Sequence, residues 1–422
     1  MTKDLKQKAI NQARGLAIDQ VQKANSGHPG KPLGSMPMIF ELWAEHMKFN
    51  PENPRWADRD RFVLSAGHAS AMQYALGYLF GYGYTLDDLK NFRQLDSITP
   101  GHPDYDPEHG VEMTTGPLGQ GLASAVGMAL AERHLAAMFN TPDYKIFDHY
   151  TYVLAGDGCM MEGISAEASS FAGNLGLGRL IVLYDSNRVT IEGHTDIAFT
   201  EDVAKRYEAY GWHVQTVEDG TDTEAVSEAI EAAKKETKKP SLIEVKTIIG
   251  YKSPAADSEK AHGAPLGEEG VYETKKNLGL DPEEDFFVSE DVLDYTRHLK
   301  SACAEEEKAW QKLAEDYIAT QGEKGELLKN YLDGMVIYLG DLEGFSDFDE
   351  GMATRQTSGT CLNRWSAVDP FLIGGSADLA SSNKTEVKDS GWISADDFSG
   401  KNIHYGVREH AMAAMANGMA LH

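Results

Sequence analysis

The stretch GDGCMMEGISAEASSFAGNLGLGRLIVLYDSN, residues 156–187, follows directly on the apolar run YVLA at 152–155. Val153, Leu154 and Ala155 read as the end of a buried strand, and residues 180–184 as the next one. Between them Ile164, Ala168, Phe171, Ala172 and Leu175 recur at helical spacing. The pattern is one strand–helix–strand unit. Such crossovers are right-handed, so the two strands run parallel in one sheet, and Asp157 and Asn187 project from the same carboxyl edge, where ligands of open α/β sheets bind. Gly156 and Gly158 let the chain turn tightly and approach a ligand, and the helix that follows offers free amides to an anion. A carboxylate and an amide oxygen beside an anion suit a hard divalent cation that shares a phosphate, such as magnesium, better than zinc. Gly-Asp-Gly is also an ordinary turn sequence, so a plain strand–helix corner accounts for it equally well until Asn187 is counted.

Outward from this unit the alternation continues. HYTYVLA (149–155), RLIVLYD (179–185), HVQTVE (213–218) and SLIEVKTI (241–248) read as strands, and residues 121–139 and 223–236 as helices closed by polar or Gly/Pro punctuation. The expected fold class is α/β, a mostly parallel open sheet with helices on both faces. From about residue 250 to 351 the order weakens into loops and acidic helices, including SACAEEEKAWQKLAEDYIA (301–319), whose charges suit a solvated face. A second α/β pattern starts at 352 with a helix, continues through DPFLIGGSADL (369–379) as strand and loop, and reaches a helix from about 407. The expected division is 1–320, a linker at 321–351, and an incomplete second domain at 352–422.

Composition narrows the function. A chain of 422 residues exceeds one ordinary domain. With 39 basic and 66 acidic residues its formal charge is −27, which argues against nucleic-acid and anionic-membrane partners. An anionic ligand must therefore be held by local groups. Cys159, Cys303 and Cys361 are too few for a disulfide framework. Residues 1–20 form a charged amphipathic helix pattern with no signal-peptide core, and no long apolar run follows, which implies a cytoplasmic protein.

Among the 14 histidines, His28 in SGHPG, His68 in AGHAS, His102 in PGHPD and His262 in AHGAP each touch a glycine. Each sits on a tight loop, where side chains carry function more often than on helix faces. Imidazole both donates and accepts near neutral pH, which suits a polyol whose hydroxyl protons must move; a structural role remains open for any one of them. TTGPLGQG (114–121) lacks the dinucleotide fingerprint and reads as a helix-entry loop. Glu409 in YGVREHAM falls in the first turn of a helix, where the helix dipole alone explains an acid. Arg355 in MATRQTSG offers a guanidinium fork for phosphate, or an ordinary helix-surface charge.

SGHPGKPLGS, RFVLSAGHAS, TPGHPD, TTGPLGQG, AHGAPLG, GGSADLASSN and YGVREHAMAAMANGM occur in the order found in transketolases, and Gly-Asp-Gly followed about thirty residues later by Asn resembles the thiamine diphosphate motif. The resemblance covers essentially the whole chain. It implies a diphosphate-binding domain followed by the start of a truncated pyrimidine-binding domain, with further chain beyond His422. It implies transfer of a two-carbon glycolaldehyde unit from a ketose phosphate to an aldose phosphate in the pentose phosphate pathway. The implied cofactors are thiamine diphosphate and Mg²⁺, with Ca²⁺ or Mn²⁺ as substitutes, and the implied assembly is a homodimer with active sites between subunits.

Residue by residue, the resemblance makes Asp157, Asn187 and the Val189 carbonyl the cation ligands. His68, Gly116, Leu118, Gly158 and His262 would contact the cofactor. His28, His102 and His262 would contact the sugar and assist proton transfer. Arg355 and Ser382 would hold the sugar phosphate, with Asp378 near the cofactor. Glu409 would hydrogen-bond the aminopyrimidine ring nitrogen. Lys31 and Ser35 stand where the pattern has small or apolar residues, Ala69 where it has glycine, and Ser186 and Arg188 flank Asn187 where Asp and Gly are usual. Two other readings stay open: a sister enzyme with the same cofactor (dihydroxyacetone synthase or deoxyxylulose-phosphate synthase), and a non-catalytic cofactor-binding fragment.

Overall fold

The computed structural model of the chain describes residues 3–348 and 351–422. Strands β1 (Arg61–Leu64), β2 (Thr151–Gly156), β3 (Leu180–Ser186), β4 (His213–Val217) and β5 (Ser241–Lys246) form one sheet in the order β1-β2-β3-β5-β4, with every neighbouring pair parallel. Strands β1, β2 and β3 are buried along their whole length. That burial on both faces explains why they read as continuous apolar runs rather than alternating ones.

Successive side chains nevertheless serve different cores. Phe62, Tyr152, Leu154, Ile181, Leu183, Ile243 and Val245 pack with helices α1 (Lys3–Ala24), α2 (Gly30–Glu41) and α3 (Ser70–Phe80) on one face. Val63, Val153, Ala155, Leu180, Val182 and Leu242 pack on the other face with α4 (Gln120–Phe139) and, beyond the short α5 (Asp157–Met161), with α6 (Gly163–Leu175). Each fully buried aliphatic or aromatic side chain of this kind contributes roughly 1.5–3 kcal/mol. Helix α7 (Thr223–Lys235) covers the first face through Val226, Ala229, Ile230 and Ala233. The expected α/β layering with helices on both faces is therefore present.

Three local features differ from the sequence reading. Strand β1 is hidden in the sequence by the charged run at Asp58–Arg61; Arg61 is buried and donates to the carbonyls of Ala57 and Arg59. The helix after Gly-Asp-Gly is two helices, broken at Glu162, which is extended (φ −67°, ψ 132°). There the Gly119 turn presses in, with a Cβ at Gly119 falling 3.0 Å from the Glu162 Cβ and 2.8 Å from Ser165 Oγ. Finally, the acidic segment is helical as read, within α8 (Glu290–Thr320), but the stretch read as linker carries α9 (Glu323–Leu332), whose Leu328 is buried with Phe139 and Phe147. Residues 349 and 350 of that linker lie outside the described residues.

The C-terminal region contains α10 (Thr354–Ser366), the strand β6 (Gly374–Ser376), the short α11 (Ala380–Asn383), the strand β7 (Asn402–His404), parallel to β6, and α12 (Glu409–Leu421). Helix α12 lies against α4 at backbone distance: a Cβ on Gly127 would fall 2.0 Å from the Met415 carbonyl, and one on Gly418 would fall 1.8 Å from that of Ser124. Only glycine permits that approach. Among the described residues no helix is long and apolar enough to cross a membrane.

Candidate functional site

Because β2 and β3 are parallel neighbours with Gly156 opposite Asp185, the residues that follow them meet at the carboxyl edge of the sheet. Asp157 accepts from Tyr184 Oη at 2.7 Å and from the Arg188 amide at 3.1 Å. Asn187 Oδ1 accepts from the Val189 amide at 3.0 Å, and Asn187 Nδ2 donates to Asp185 Oδ2 at 2.9 Å. Both ends of the opening motif are thus one site. They line a cavity of about 270 Å³ together with His28, Lys31, His68, His102, Gly116, Leu118, Gly158, Val189 and His262. A larger groove of about 710 Å³, beside Trp56 and Trp310, contains none of the expected site residues.

The glycines make room for this cavity. A Cβ on Gly158 would sit 2.7 Å from Leu118 Cδ1, and one on Gly156 would sit 2.6 Å from Lys31 Nζ. Gly116 turns at φ +156°, which an L side chain rarely adopts. His28, His68, His102 and His262 converge: the His28 ring lies 5.1 Å from His68, 6.3 Å from His102 and 5.8 Å from His262, and His68 stacks on His262 at 5.2 Å.

Burial, followed by the neighbouring His262, Arg93 and His102, lowers His28 to about 4. Burial and the Lys31 charge lower His262 to about 4 and His68 well below its ordinary value, and burial with Arg93 lowers His102. The cluster is therefore neutral at physiological pH and can donate and accept. His68 Nε2 and His262 Nδ1 are buried without a hydrogen-bond partner among the described residues, an arrangement that a polar ligand in the cavity would satisfy. An unfolded histidine takes up its proton near about 6.5. The unfolded chain then binds more protons between that pH and about 4, so stability is expected to fall as pH drops through this window. Imidazole NMR should show His28 and His262 still neutral at about pH 5.5; a midpoint near about 6.5 at either would contradict this environment.

The donor set fits a hard cation. Burial raises the Asp157 carboxyl pKa, Asp185 adds to the rise, and Tyr184, Lys31 and the Arg188 amide oppose it; a bound cation would relieve that burial cost. Among the described residues no cluster of three or more His, Cys, Asp and Glu side chains is placed to hold a metal. A cation here would rely on one carboxylate, the Asn187 amide oxygen and main-chain oxygen, completed by phosphate, as magnesium prefers.

Four expected residues lie elsewhere. Glu409 is the first residue of α12 and is exposed outside the cavity lining, where its neighbours His410 and Ala411 bond to Gln120 (2.8 Å) and Glu167 (2.9 Å). Arg355 on α10 and Ser382 on α11 are exposed and also outside the lining. Asp378 is exposed in a left-handed turn (φ +63°). Conversely, Lys31, Asp185 and Thr247 were not anticipated as a unit. Lys31 pairs with Asp185, and Thr247 Oγ1 donates to the same carboxylate. The available signal was a lysine within the otherwise apolar GKPLGSMPMIF, since a lysine in a buried helix requires a counter-charge.

Comparison with known proteins bears on the chain as a whole. Residues 5–336 match the family model for the transketolase thiamine diphosphate binding domain, and residues 350–422 match that for the transketolase pyrimidine binding domain. Transketolase from Nostoc sp. is 54% identical over 428 residues, covering 100% of this chain and 63% of the relative; that from Halalkalibacterium halodurans is 50% identical over 424 residues, covering 100% and 64%. Among solved structures, a Pichia stipitis transketolase complex with sedoheptulose-7-phosphate superposes with a TM-score of 0.95 at 44% identity, covering 99% of this chain and 63% of the other. Leishmania mexicana transketolase gives 0.95 at 45% identity, with coverages of 100% and 63%. The chain thus spans a little under two thirds of the length of these relatives.

Proposed function

Because this chain belongs to the transketolase family, we propose that it carries out cytoplasmic transfer of a two-carbon glycolaldehyde unit from a ketose phosphate to an aldose phosphate. The observation that carries the reading is the meeting of Asp157 and Asn187 at one carboxyl edge, beneath four neutral imidazoles. Thiamine diphosphate, when bound, would supply an acidic ring carbon as the nucleophile and its cationic thiazolium ring as the electron sink. The chain's own residues bind and orient. Asp157, Asn187 and the Val189 carbonyl hold Mg²⁺ against the diphosphate, with His68 and Gly158 beside it and Gly116 and Leu118 along the cofactor. His28, His102 and His262 face the sugar, donating to its oxygens and moving hydroxyl protons.

Residues 1–320 form the diphosphate-binding unit and 352–422 the pyrimidine-binding unit, joined by 321–351. The active protein is a homodimer in which Glu409 serves the cavity of the partner subunit and Arg355 and Ser382 contribute to phosphate binding. Two observations support that division: Glu409 is exposed outside its own chain's cavity, and the cavity, at about 270 Å³, is small for a complete cofactor and substrate site.

The intact protein, supplied with thiamine diphosphate and Mg²⁺, is expected to transfer glycolaldehyde from xylulose 5-phosphate to an aldose phosphate. Coupled detection of the lengthened ketose checks this. Transfer only to formaldehyde, decarboxylation of pyruvate as the donor in place of the ketose phosphate, or no transfer at all would overturn the assignment in favour of a sister enzyme or a binding fragment.

A further inference from the structure

The cavity wall contains one lysine, Lys31, in the first turn of α2. The residue is only 4% exposed, and an ammonium at that depth needs a counter-charge. Asp185, near the carboxyl end of β3, supplies it through an ion pair. Asp185 is already well provided with donors, since Asn187 Nδ2 (2.9 Å) shares Oδ2 with Lys31 and Thr247 Oγ1 bonds to Oδ1. Lys31 is not. It has three N–H donors, and among the described residues its side chain donates to Asp185 alone.

Its position directs the remaining donors toward the cavity. The ammonium fills the notch left by the missing side chain of Gly156, immediately before Asp157. The partnerless atoms His68 Nε2 and His262 Nδ1 belong to the same wall. Among the lining residues only Lys31 and Asp157 carry a formal charge, because burial keeps the four imidazoles neutral. Lys31 places this positive charge where the family pattern has a small or apolar residue. In a chain of formal charge −27, such a local cation matters for an anionic ligand.

We propose that Lys31 is a resident cation for the cofactor's diphosphate, keeping one contact with Asp185 and giving its other donors to phosphate oxygens beside Gly156. It thereby shares with the divalent ion the neutralisation of that group. This rests on the reading of the cavity as the thiamine diphosphate site, and it makes cofactor binding less dependent on divalent cation than Asp157 and Asn187 alone would.

Calorimetry on the intact protein tests this with two probes, thiamine diphosphate and inorganic pyrophosphate, each at saturating Mg²⁺ and with a chelator. Wild type is expected to bind both probes with Mg²⁺ and to retain weak, measurable binding without it. Lys31→Met should weaken both probes by about tenfold or more with Mg²⁺ and abolish the metal-independent binding. The double variant Lys31→Met/Asp185→Asn removes both halves of the ion pair, while the amide oxygen it introduces keeps the Asn187 contact and the amide nitrogen donates to Thr247 Oγ1, which a hydroxyl can accept. If Lys31 acts on the ligand, the double variant stays as weak as the single one. Recovery of wild-type affinity would overturn the proposal, because Lys31 would then only neutralise Asp185. Unchanged affinity and metal dependence in Lys31→Met would overturn it as well, leaving the cofactor reading intact. A wild-type protein that binds neither probe would overturn both.

Discussion

Asp157→Ala and Asn187→Ala in the intact protein are each expected to lower magnesium-dependent thiamine diphosphate affinity by on the order of 100-fold. Each removes an oxygen donor at the carboxyl edge of the sheet and leaves the diphosphate less compensated. Side effects are foreseeable from the contacts. Asp157→Ala also strands Tyr184 Oη and the Arg188 amide, and Asn187→Ala strands the Val189 amide. Asp157→Asn separates charge from packing, since an amide oxygen still accepts from Tyr184 while the carboxylate charge is lost. Calorimetry with and without Mg²⁺ reads the result. Wild-type affinity and metal dependence in all three variants would remove the cation site from these residues.

Glu409→Gln is expected to leave cofactor affinity largely intact and to slow proton loss at the reactive thiazolium carbon by about 10²- to 10⁴-fold, with turnover falling alongside. An amide cannot exchange a proton with the pyrimidine ring nitrogen as a carboxylate does. Hydrogen–deuterium exchange at that carbon reports the step independently of sugar binding. The variant also tests the assembly: mixing it with the single variant Asp157→Ala should restore some exchange only if the two residues of one working site come from different chains. Exchange at the wild-type rate in Glu409→Gln would reduce Glu409 to a helix-dipole residue at the start of α12.

The sequence made the centre of this architecture legible because β2, β3 and β5 are buried apolar runs bounded by turn residues. The right-handed crossover then placed Asp157 beside Asn187 without any coordinates. The histidine cluster was legible for a related reason: each member is held by a glycine-bearing loop, and the loops gather where strands end. Strand β1 and strand β7 were not, being four and three residues long and set among charged or polar neighbours. The Lys31–Asp185 pair was illegible because it joins positions 154 residues apart, and periodicity carries no information across that distance. The placement of Glu409 outside the cavity depends on how α12 docks on α4 through Gly127 and Gly418, a tertiary contact with no local signature beyond two small residues.

Diffraction from crystals of the intact protein grown with thiamine diphosphate and Mn²⁺, recorded at the manganese edge, tests the central claim most directly. The expected result is one anomalous peak ligated by the Asp157 carboxylate, the Asn187 amide oxygen and the Val189 carbonyl, with the diphosphate bound against it in the histidine-lined cavity. A diphosphate bound elsewhere, or a manganese ion that leaves Asp157 and Asn187 uncoordinated, would contradict the account.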